Sequence, residues 1–366
     1  MLKQTILFIF LSISFWGISQ NKIWPNYRGN QQLSGVANVK FSEKLNLIWE
    51  NQLNERIKSS PIIAEKKIFF GTEDGHVFAF GLSGDSLWGF TSETGFEAPP
   101  FYAEGKIYIG DLEGFMYCLN ASDGELLWKY ETEGQITGSA NMSGSKSNIR
   151  LVFGSYDFFL HAIDPKNSNL LWKYETDSYI NGAPAIYQEQ AVFGACDGFL
   201  HMVNLNDTSI KQRIEIGTYI ASSPAIIGNT AYFGNYDGIF YKADLKNQKV
   251  VWKNEEGGSY VGSPSVKDKY AVIGSQDRYV YCFNSENGKL LWKFKTLRKV
   301  ESSPIIVGHQ VLIASTDGRI YLLDLKSGRK NWSYEIGTPI IATPAVIDGK
   351  VVVCSQNGGV FLFGEN

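Results

Sequence analysis

A period of about forty residues constrains this chain more than any other feature. Tryptophan recurs at Trp49, Trp88, Trp128, Trp172, Trp252, Trp292 and Trp332, at gaps of 39, 40, 44, 80, 40 and 40. The double gap holds one copy that has lost its tryptophan, with Gln212 at the expected place. A second series runs Asp74-Gly75, Glu113-Gly114, Asp157-Phe158, Asp197-Gly198, Asp237-Gly238, Asp277-Arg278, Asp317-Gly318 and Asn357-Gly358. A third runs Pro61, Pro100, Ala140, Pro184, Pro224, Pro264, Pro304 and Pro344, each twelve residues after its tryptophan position. Three independent series therefore count eight copies, the third of which carries a four-residue insertion within 141–148.

Each copy reads as four strands. In the sixth, Gly262–Val266 opens an inner strand, Tyr270–Gly274 is the second, Tyr279–Phe283 the third and Leu290–Phe294 the fourth. Asp277-Arg278 and Glu286-Asn287-Gly288 supply the turns, with residue types that suit the φ > 0 positions of tight hairpins. No window sustains a 3.6-residue apolar pattern, so the mature chain is expected to hold no helix. Charged residues at 19%, aromatics at 14% and 37 glycines fit many short strands joined by tight turns. The expectation is an all-β, eight-bladed β-propeller with four-stranded blades over residues 45–366.

The order of the series also predicts how the ring closes. The chain opens with a tryptophan strand over Leu45–Asn51 that has no three strands before it. It ends with three strands, Pro344–Phe363, that have no tryptophan strand after them. The N-terminal strand should pair as the outer strand of the last blade and remove two exposed sheet edges. Residues 20–44 form an N-terminal extension, of which 24–44 should lie over one face of the ring.

Residues 1–19 read as a secretory signal peptide. Lys3 precedes an apolar run from Ile6 to Trp16, and Gly17-Ile18-Ser19 offers small residues before a mature start at Gln20. The run falls short of the ~20 residues that span a bilayer. With 34 basic and 37 acidic residues the net charge is −3, and −4 once Lys3 is removed. That balance gives no footprint for nucleic acid. The expected product is periplasmic or secreted, without a membrane span, and monomeric.

Catalytic and metal-binding readings find little support in the motifs. His161 and His201 each lie four residues past their turn, where other copies carry Phe78, Tyr117, Tyr241, Tyr281, Tyr321 and Phe361, so they replace packing aromatics. The Asp-Gly pairs lack the spacing of a calcium loop. The Ser-Ser-Pro runs at Ser59, Ser222 and Ser302 mark crowding of inner strands around one axis. Tryptophans at one per blade and fixed register serve packing between blades. No catalytic residue, cofactor ligand or metal ligand is expected.

One register varies in an informative way. Three residues before the Pro series stand Lys58, Glu97, Thr137, Asn181, Ala221, Val261, Glu301 and Ile341. Two earlier stand Arg56, Gly95, Gln135, Tyr179, Tyr219, Ser259, Lys299 and Pro339, with apolar residues between the two sets throughout. Period-2 alternation sends the apolar set into blade packing and the variable set to solvent or the channel mouth. The variable set is either a solvated rim or a binding surface. As a surface, its candidate residues are Arg56, Lys58, Glu97, Tyr179, Asn181, Tyr219, Lys299 and Glu301. Ring closure should bring Arg56 and Lys58 towards Lys299.

Asp123-Gly124-Glu125-Leu126-Leu127-Trp128 and Leu323-Asp324-Leu325-Lys326-Ser327-Gly328, leading to Trp332, resemble the tryptophan-docking repeat of PQQ-like propellers. So does Ala243-Asp244-Leu245, leading to Trp252, and Trp24-Pro25-Asn26-Tyr27-Arg28-Gly29-Asn30 resembles the start of exported bacterial proteins of that type. A WD-repeat does not fit, because Lys follows Trp128, Trp172, Trp252 and Trp292. The resemblance has two branches. Quinoprotein dehydrogenases hold PQQ with Ca²⁺, commonly beside a disulfide between adjacent cysteines, whereas Cys118, Cys196, Cys282 and Cys354 are nowhere adjacent. The propeller of the outer-membrane barrel assembly machinery, BamB-like, is a scaffold without chemistry, which this chain matches in length and blade count but without the lipid-attachment cysteine. The resemblance implies a non-enzymatic binding scaffold for envelope proteins. The alternative is a divergent quinoprotein-type enzyme or small-molecule sensor that uses the central pocket.

Overall fold

The computed structural model describes residues 23–39, 42–144, 148–209 and 211–365; the segment 1–19, expected to be a signal peptide, lies outside the described residues. Eight four-stranded antiparallel sheets follow one another, and the described residues contain no helix. The first blade is Ile62–Ala64, Lys67–Gly71, His76–Gly81 and Ser86–Thr91, from the axis outwards. The second to seventh repeat that order. The eighth has Ala345–Ile347, Lys350–Cys354 and Gly359–Gly364 from the C-terminal end, and its outermost strand is Asn46–Gln52. Asn46 pairs with Gly364 and Gln52 with Gly359, so the two ends of the chain share one blade.

Each outermost strand that bears a tryptophan carries a bulge one residue before it. The pairing skips Ile48, Leu87, Leu127, Leu171, Val251, Leu291 and Asn331. A bulge bends and twists its strand locally, and here it re-aims the indole towards the following blade. The fourth blade has Gln212 in place of tryptophan, and its pairing from Phe199↔Glu215 to Val203↔Lys211 runs without a shift. Loss of the indole and loss of the bulge go together.

The docked indoles donate hydrogen bonds to backbone carbonyls of the next blade. Trp49 Nε1 reaches Leu82 O at 2.9 Å, Trp88 Ala121 O at 3.2 Å, Trp128 Pro165 O at 3.1 Å, Trp252 Ser285 O at 3.3 Å and Trp292 Leu325 O at 2.9 Å. Gly124 and Gly328, both with positive φ, lie under the rings of Trp88 and Trp292, where a Cβ would come within 2.6 Å of an indole carbon. Glycine is needed twice over there, for conformation and for space. Trp172 faces the blade without a tryptophan, and its buried N–H has no hydrogen-bond partner.

Around the axis, hydroxyls do the stitching. In five blades the residue before the Pro position donates its N–H to the hydroxyl of the equivalent residue one blade on. Ala183 bonds Ser223, Ser223 bonds Ser263, Ser263 bonds Ser303, Ser303 bonds Thr343 and Thr343 bonds Ser60, all at 2.8–2.9 Å. The last of these crosses the closure. The belt stops at Pro99, which has neither hydroxyl nor N–H, so the small residues in this register are bonding groups as well as a response to crowding.

The N-terminal extension runs across the opposite end of the ring from the channel mouth. The N–H two residues after the Pro position is the donor in six blades. Ile63 donates to Trp24 O, Tyr102 to Pro25 O, Ile186 to Gln31 O, Ile226 to Gln32 O, Val266 to Ser34 O and Ile306 to Gly35 O, at 2.7–3.1 Å. Val36–Ala37 then pairs in parallel with Ile306–Val307. Inner-strand edges that face the axis are thereby paired, as buried backbone donors require. Arg28 is fully buried beneath the ring, where its Nη2 bonds Pro264 O, Ser265 Oγ and Pro304 O. Burial brings its pKa down to about 10, so the guanidinium stays charged at neutral pH.

Deletion of residues 21–51 removes both the closing strand and this belt of bonds. The truncated protein should lose its cooperative melting transition or aggregate, because two sheet edges become exposed. A soluble monomer with an unchanged melting midpoint would contradict the closure.

Candidate functional site

The lead-in segment to each inner strand alternates as a strand does, and burial follows the alternation. Ile57, Phe96, Ile136, Ile180, Ile220, Tyr260, Val300 and Ile340 are fully buried between blades. Their neighbours Lys58, Glu97, Thr137, Asn181, Ala221, Val261, Glu301 and Ile341 all line a central cup of about 200 Å³. Ser60, Ser139, Ser223, Ser263 and Thr343 form its lower wall. Tyr27 of the extension also lines it, its hydroxyl 2.7 Å from Ser303 Oγ. The channel is thus a cup that the chain's own N-terminal segment floors.

Arg56, Tyr179, Tyr219 and Lys299 sit outside the cup, on its rim. Their side chains are exposed, at 62% for Arg56 and 57% for Lys299. Tyr179 and Tyr219 are exposed as well. The structure does not gather Arg56, Lys58 and Lys299 into one basic cluster. Lys58 Nζ is bonded to Glu73 and lies 2.6 Å from Glu97 Oε1, and Arg56 Nε lies 3.1 Å from Glu73 Oε2. Lys299 Nζ is 4.0 Å from Glu301, which also accepts a bond from Gln276 Nε2 at 2.9 Å. Blade eight, with Pro339 and Ile341 in these registers, stands between the two groups. Burial pulls the Lys58 pKa down, but its bonds to Glu73 and Glu97 outweigh that and leave it raised. Cations and carboxylates alternate on this side of the mouth.

A further series completes the rim, and it was not singled out from the sequence. The residue before each turn acid donates its N–H to the carbonyl of the lead-in segment of the same blade, at 2.8–3.1 Å in all eight. The pairs are Glu73–Arg56, Leu112–Gly95, Tyr156–Gln135, Cys196–Tyr179, Tyr236–Tyr219, Gln276–Ser259, Thr316–Lys299 and Gln356–Pro339. These side chains therefore share the mouth with the variable set. The signal was available, one residue ahead of a series already aligned, but nothing local marks that turn as adjacent to the lead-in segment.

The two histidines are core groups. His161 stacks on Phe153 at 5.5 Å and His201 on Phe193 at 5.1 Å. Each bonds its turn acid through Nε2, at 2.9 Å to Asp157 and 2.9 Å to Asp197, with Nδ1 facing Tyr130 and Tyr174 hydroxyls at 3.1 and 3.3 Å. In blades six and seven Tyr281 and Tyr321 hydroxyls replace the imidazoles, each 2.6 Å from Asp277 and Asp317. One buried slot between turn acid and ring is filled by either aromatic. Burial raises the Asp157 and Asp197 pKa values, but the hydrogen bond and attraction of the paired histidine outweigh it, leaving both lowered.

The family model described as outer membrane protein assembly factor BamB matches residues 79–294 and 294–365. The chain belongs to that family. Among solved structures, BamB from Moraxella catarrhalis is similar at a TM-score of 0.75 and 17% identity, over 88% of this chain and 98% of that one. The computationally designed Ika8 protein is similar at 0.74 and 18%, over 86% and 98%. Quinohemoprotein alcohol dehydrogenase from Comamonas testosteroni reaches 0.80 at 11% identity, over 95% of this chain and 82% of that one. No match to the chain was found among curated proteins. At such identities the structural likeness speaks for the fold alone, since one ring carries an assembly factor, a design and a dehydrogenase.

The cup of this BamB-family chain does not fit a quinone held by a metal. About 200 Å³ is below the ~300–1,000 Å³ of pockets that enclose small ligands. Glu97 and Glu301 on its wall are already bonded to Lys58 and Gln276. Among the described residues no group of three or more His, Cys, Asp or Glu is placed to hold a metal ion. The four cysteines are free, and burial pushes Cys118 up to about 12 and Cys282 and Cys354 further.

Thiol titration without reductant should find all four cysteines in denaturant, and in the native protein only the half-buried Cys196 should react. A finding of no free thiol would overturn the blade assignment. The aspartates give a pH signature. A lowered folded pKa contributes stability that is present above the ordinary carboxylate value and lost as pH falls through the folded one. Asp157→Asn with Asp197→Asn should cost about 1–3 kcal/mol per site at pH 6 by urea unfolding. That deficit should shrink below about pH 4, where the wild-type carboxylates take up protons.

Proposed function

We propose that this protein is an exported, non-enzymatic binding scaffold of a bacterial cell envelope that captures envelope proteins at the channel mouth. The observation that carries the reading is the floored cup with its wall charges already paired. The cup is smaller than pockets that enclose small ligands, while the rim around it is exposed. Arg56, Lys299, Tyr179 and Tyr219 are the exposed side chains a partner would meet, and Lys58, Glu97, Asn181 and Glu301 set the polarity behind them. Membership of the BamB family supports a scaffold, and the apolar run at Ile6–Trp16 supports export. No helix among the described residues is long and apolar enough to cross a membrane.

Two measurements test this. Intact mass, metal analysis and absorbance of the purified protein should show neither PQQ nor stoichiometric metal; finding either replaces the scaffold with the quinoprotein reading. Crosslinking capture from envelope extracts should give a defined set of proteins. An Arg56→Glu, Lys299→Glu, Tyr219→Ala variant should capture them at least ~10-fold less well, since interface energy concentrates in a few Arg and Tyr anchors. Its melting midpoint should stay unchanged, because exposed rim charges contribute little stability. Equal capture by the folded variant would remove the rim and direct attention to the blade edges or residues 24–44.

A further inference from the structure

The mouth is divided into two halves of opposite character. Its loops in blades two to five are 93–99, 111–114, 132–140, 155–158, 176–184, 195–198, 216–224 and 235–238, and they contain no Lys, Arg or His. In the same registers the other half carries Arg56, Lys58, Arg278, Arg298 and Lys299. Of the acids in blades two to five, Glu97 is bonded to Lys58, Asp157 and Asp197 to histidines and Asp111 to Tyr117. Glu93, Glu113, Glu133, Asp177 and Asp237 remain exposed. Among the described residues only Asp177 of these meets a cation, Arg213 of the neighbouring outer strand at 3.2 Å.

The same half holds the exposed aromatic rings. Among the described residues, the large apolar side chains left exposed include four aromatic ones, Phe158 at 40%, Tyr179 at 45%, Tyr219 at 56% and Tyr236 at 50%. All four lie at the mouth of blades three to five. Tyr156 anchors the arc at the lip of the cup. Its ring stacks on Tyr179 with centroids 4.8 Å apart, and Phe158 meets Tyr179 edge-on at 5.1 Å. Tyr219 and Tyr236 are held side by side by the bond from Tyr236 N–H to Tyr219 O. The carbonyls of Tyr179 and Tyr219 accept bonds within their own blades, so side chains are what this arc presents.

Resting on the scaffold reading, we infer that the arc from Tyr156 to Tyr236 receives an extended, arginine-containing segment of a partner protein. A guanidinium stacks on an aromatic face and bonds a carboxylate with its edge, whereas ammonium does only the second well. The arc offers rings and carboxylates together, and its loops carry no basic residue to repel a cationic segment. In the facing half Arg56, Lys58 and Lys299 already sit against Glu73, Glu97 and Glu301, and no exposed aromatic ring of the described residues accompanies Arg278 and Arg298, so the pairing of ring with free charge is found only in the arc.

The test uses the mature chain and a labelled synthetic peptide of alternating arginine and glycine, read by fluorescence anisotropy. Binding should weaken steeply with added salt. Replacing arginine by glutamine should abolish it, and replacing it by lysine should weaken it. The Tyr179→Ala, Tyr219→Ala, Tyr236→Ala variant keeps every charge and should bind the arginine peptide at least ~10-fold more weakly, as expected from losing several cation–π contacts. Should that variant not fold, Tyr219→Ser with Tyr236→Ser leaves the Tyr156–Tyr179 stack in place and should still lose ~3-fold or more. Arg298→Ala, an exposed cation of the facing half, should bind as wild type does. Equal binding by the folded tyrosine variants, or by the glutamine peptide, would overturn the inference. Capture of envelope proteins by a wild type that ignores the arginine peptide would also overturn it, while leaving the scaffold reading intact.

Discussion

Everything in this molecule depends on one strand pairing, that of Asn46–Gln52 with Gly359–Gly364. A propeller blade contacts only its neighbours, so an open row of eight has two unsatisfied ends. The pairing joins residues more than three hundred positions apart and places Trp49 where it can dock on the first blade. It lets the axial hydroxyl belt run on from Thr343 to Ser60. It also fixes where the preceding segment starts, so that residues 24–37 can circle the inner-strand edges and floor the cup.

Variation is absorbed at the periphery, where it costs least. The fourth blade has lost its tryptophan, its bulge and the docked N–H of the preceding Trp172, yet its strands keep the common pairing. The outer edge strands of intact blades place Lys129, Lys173, Lys253 and Lys293 directly after the indole. Lysine on an exposed edge discourages pairing with another chain. Lys129 and Lys173 also lie over the rings of Phe115 and Phe159, at 4.4 and 4.0 Å. The outer surface is built to stay unpaired, whereas the mouth is where residue identity is free to change from blade to blade.

That freedom explains why fold and function separate here. The same ring at nearly the same TM-score houses an outer-membrane assembly factor, a designed protein and a dehydrogenase. In this chain the positions that vary most from blade to blade at the mouth lie in the lead-in segments and the first hairpin turns. With the segment that crosses the axis, they give a small floored cup, a side of alternating ion pairs and an aromatic arc flanked by exposed acids.

The sequence by itself determined the number of blades, the four strands of each, the closure and the registers that face the mouth. It could do so because the same physical problem is solved eight times, and repetition separates the constraint from the noise. Alternation alone placed Ile57 and Phe96 in the core and Lys58 and Glu97 at the cup. Tertiary structure decided what these residues meet. Lys58 finds Glu73 and Glu97, from the first hairpin of its own blade and from the next blade, so an apparent basic cluster became a run of ion pairs. Tyr156 and Tyr236 joined Tyr179 and Tyr219 because a turn folds back on the lead-in segment, and Tyr27 became the floor because the extension crosses the axis. A repeat reports the environment common to all blades, whereas pairing across blades depends on which particular side chains the closed ring sets face to face.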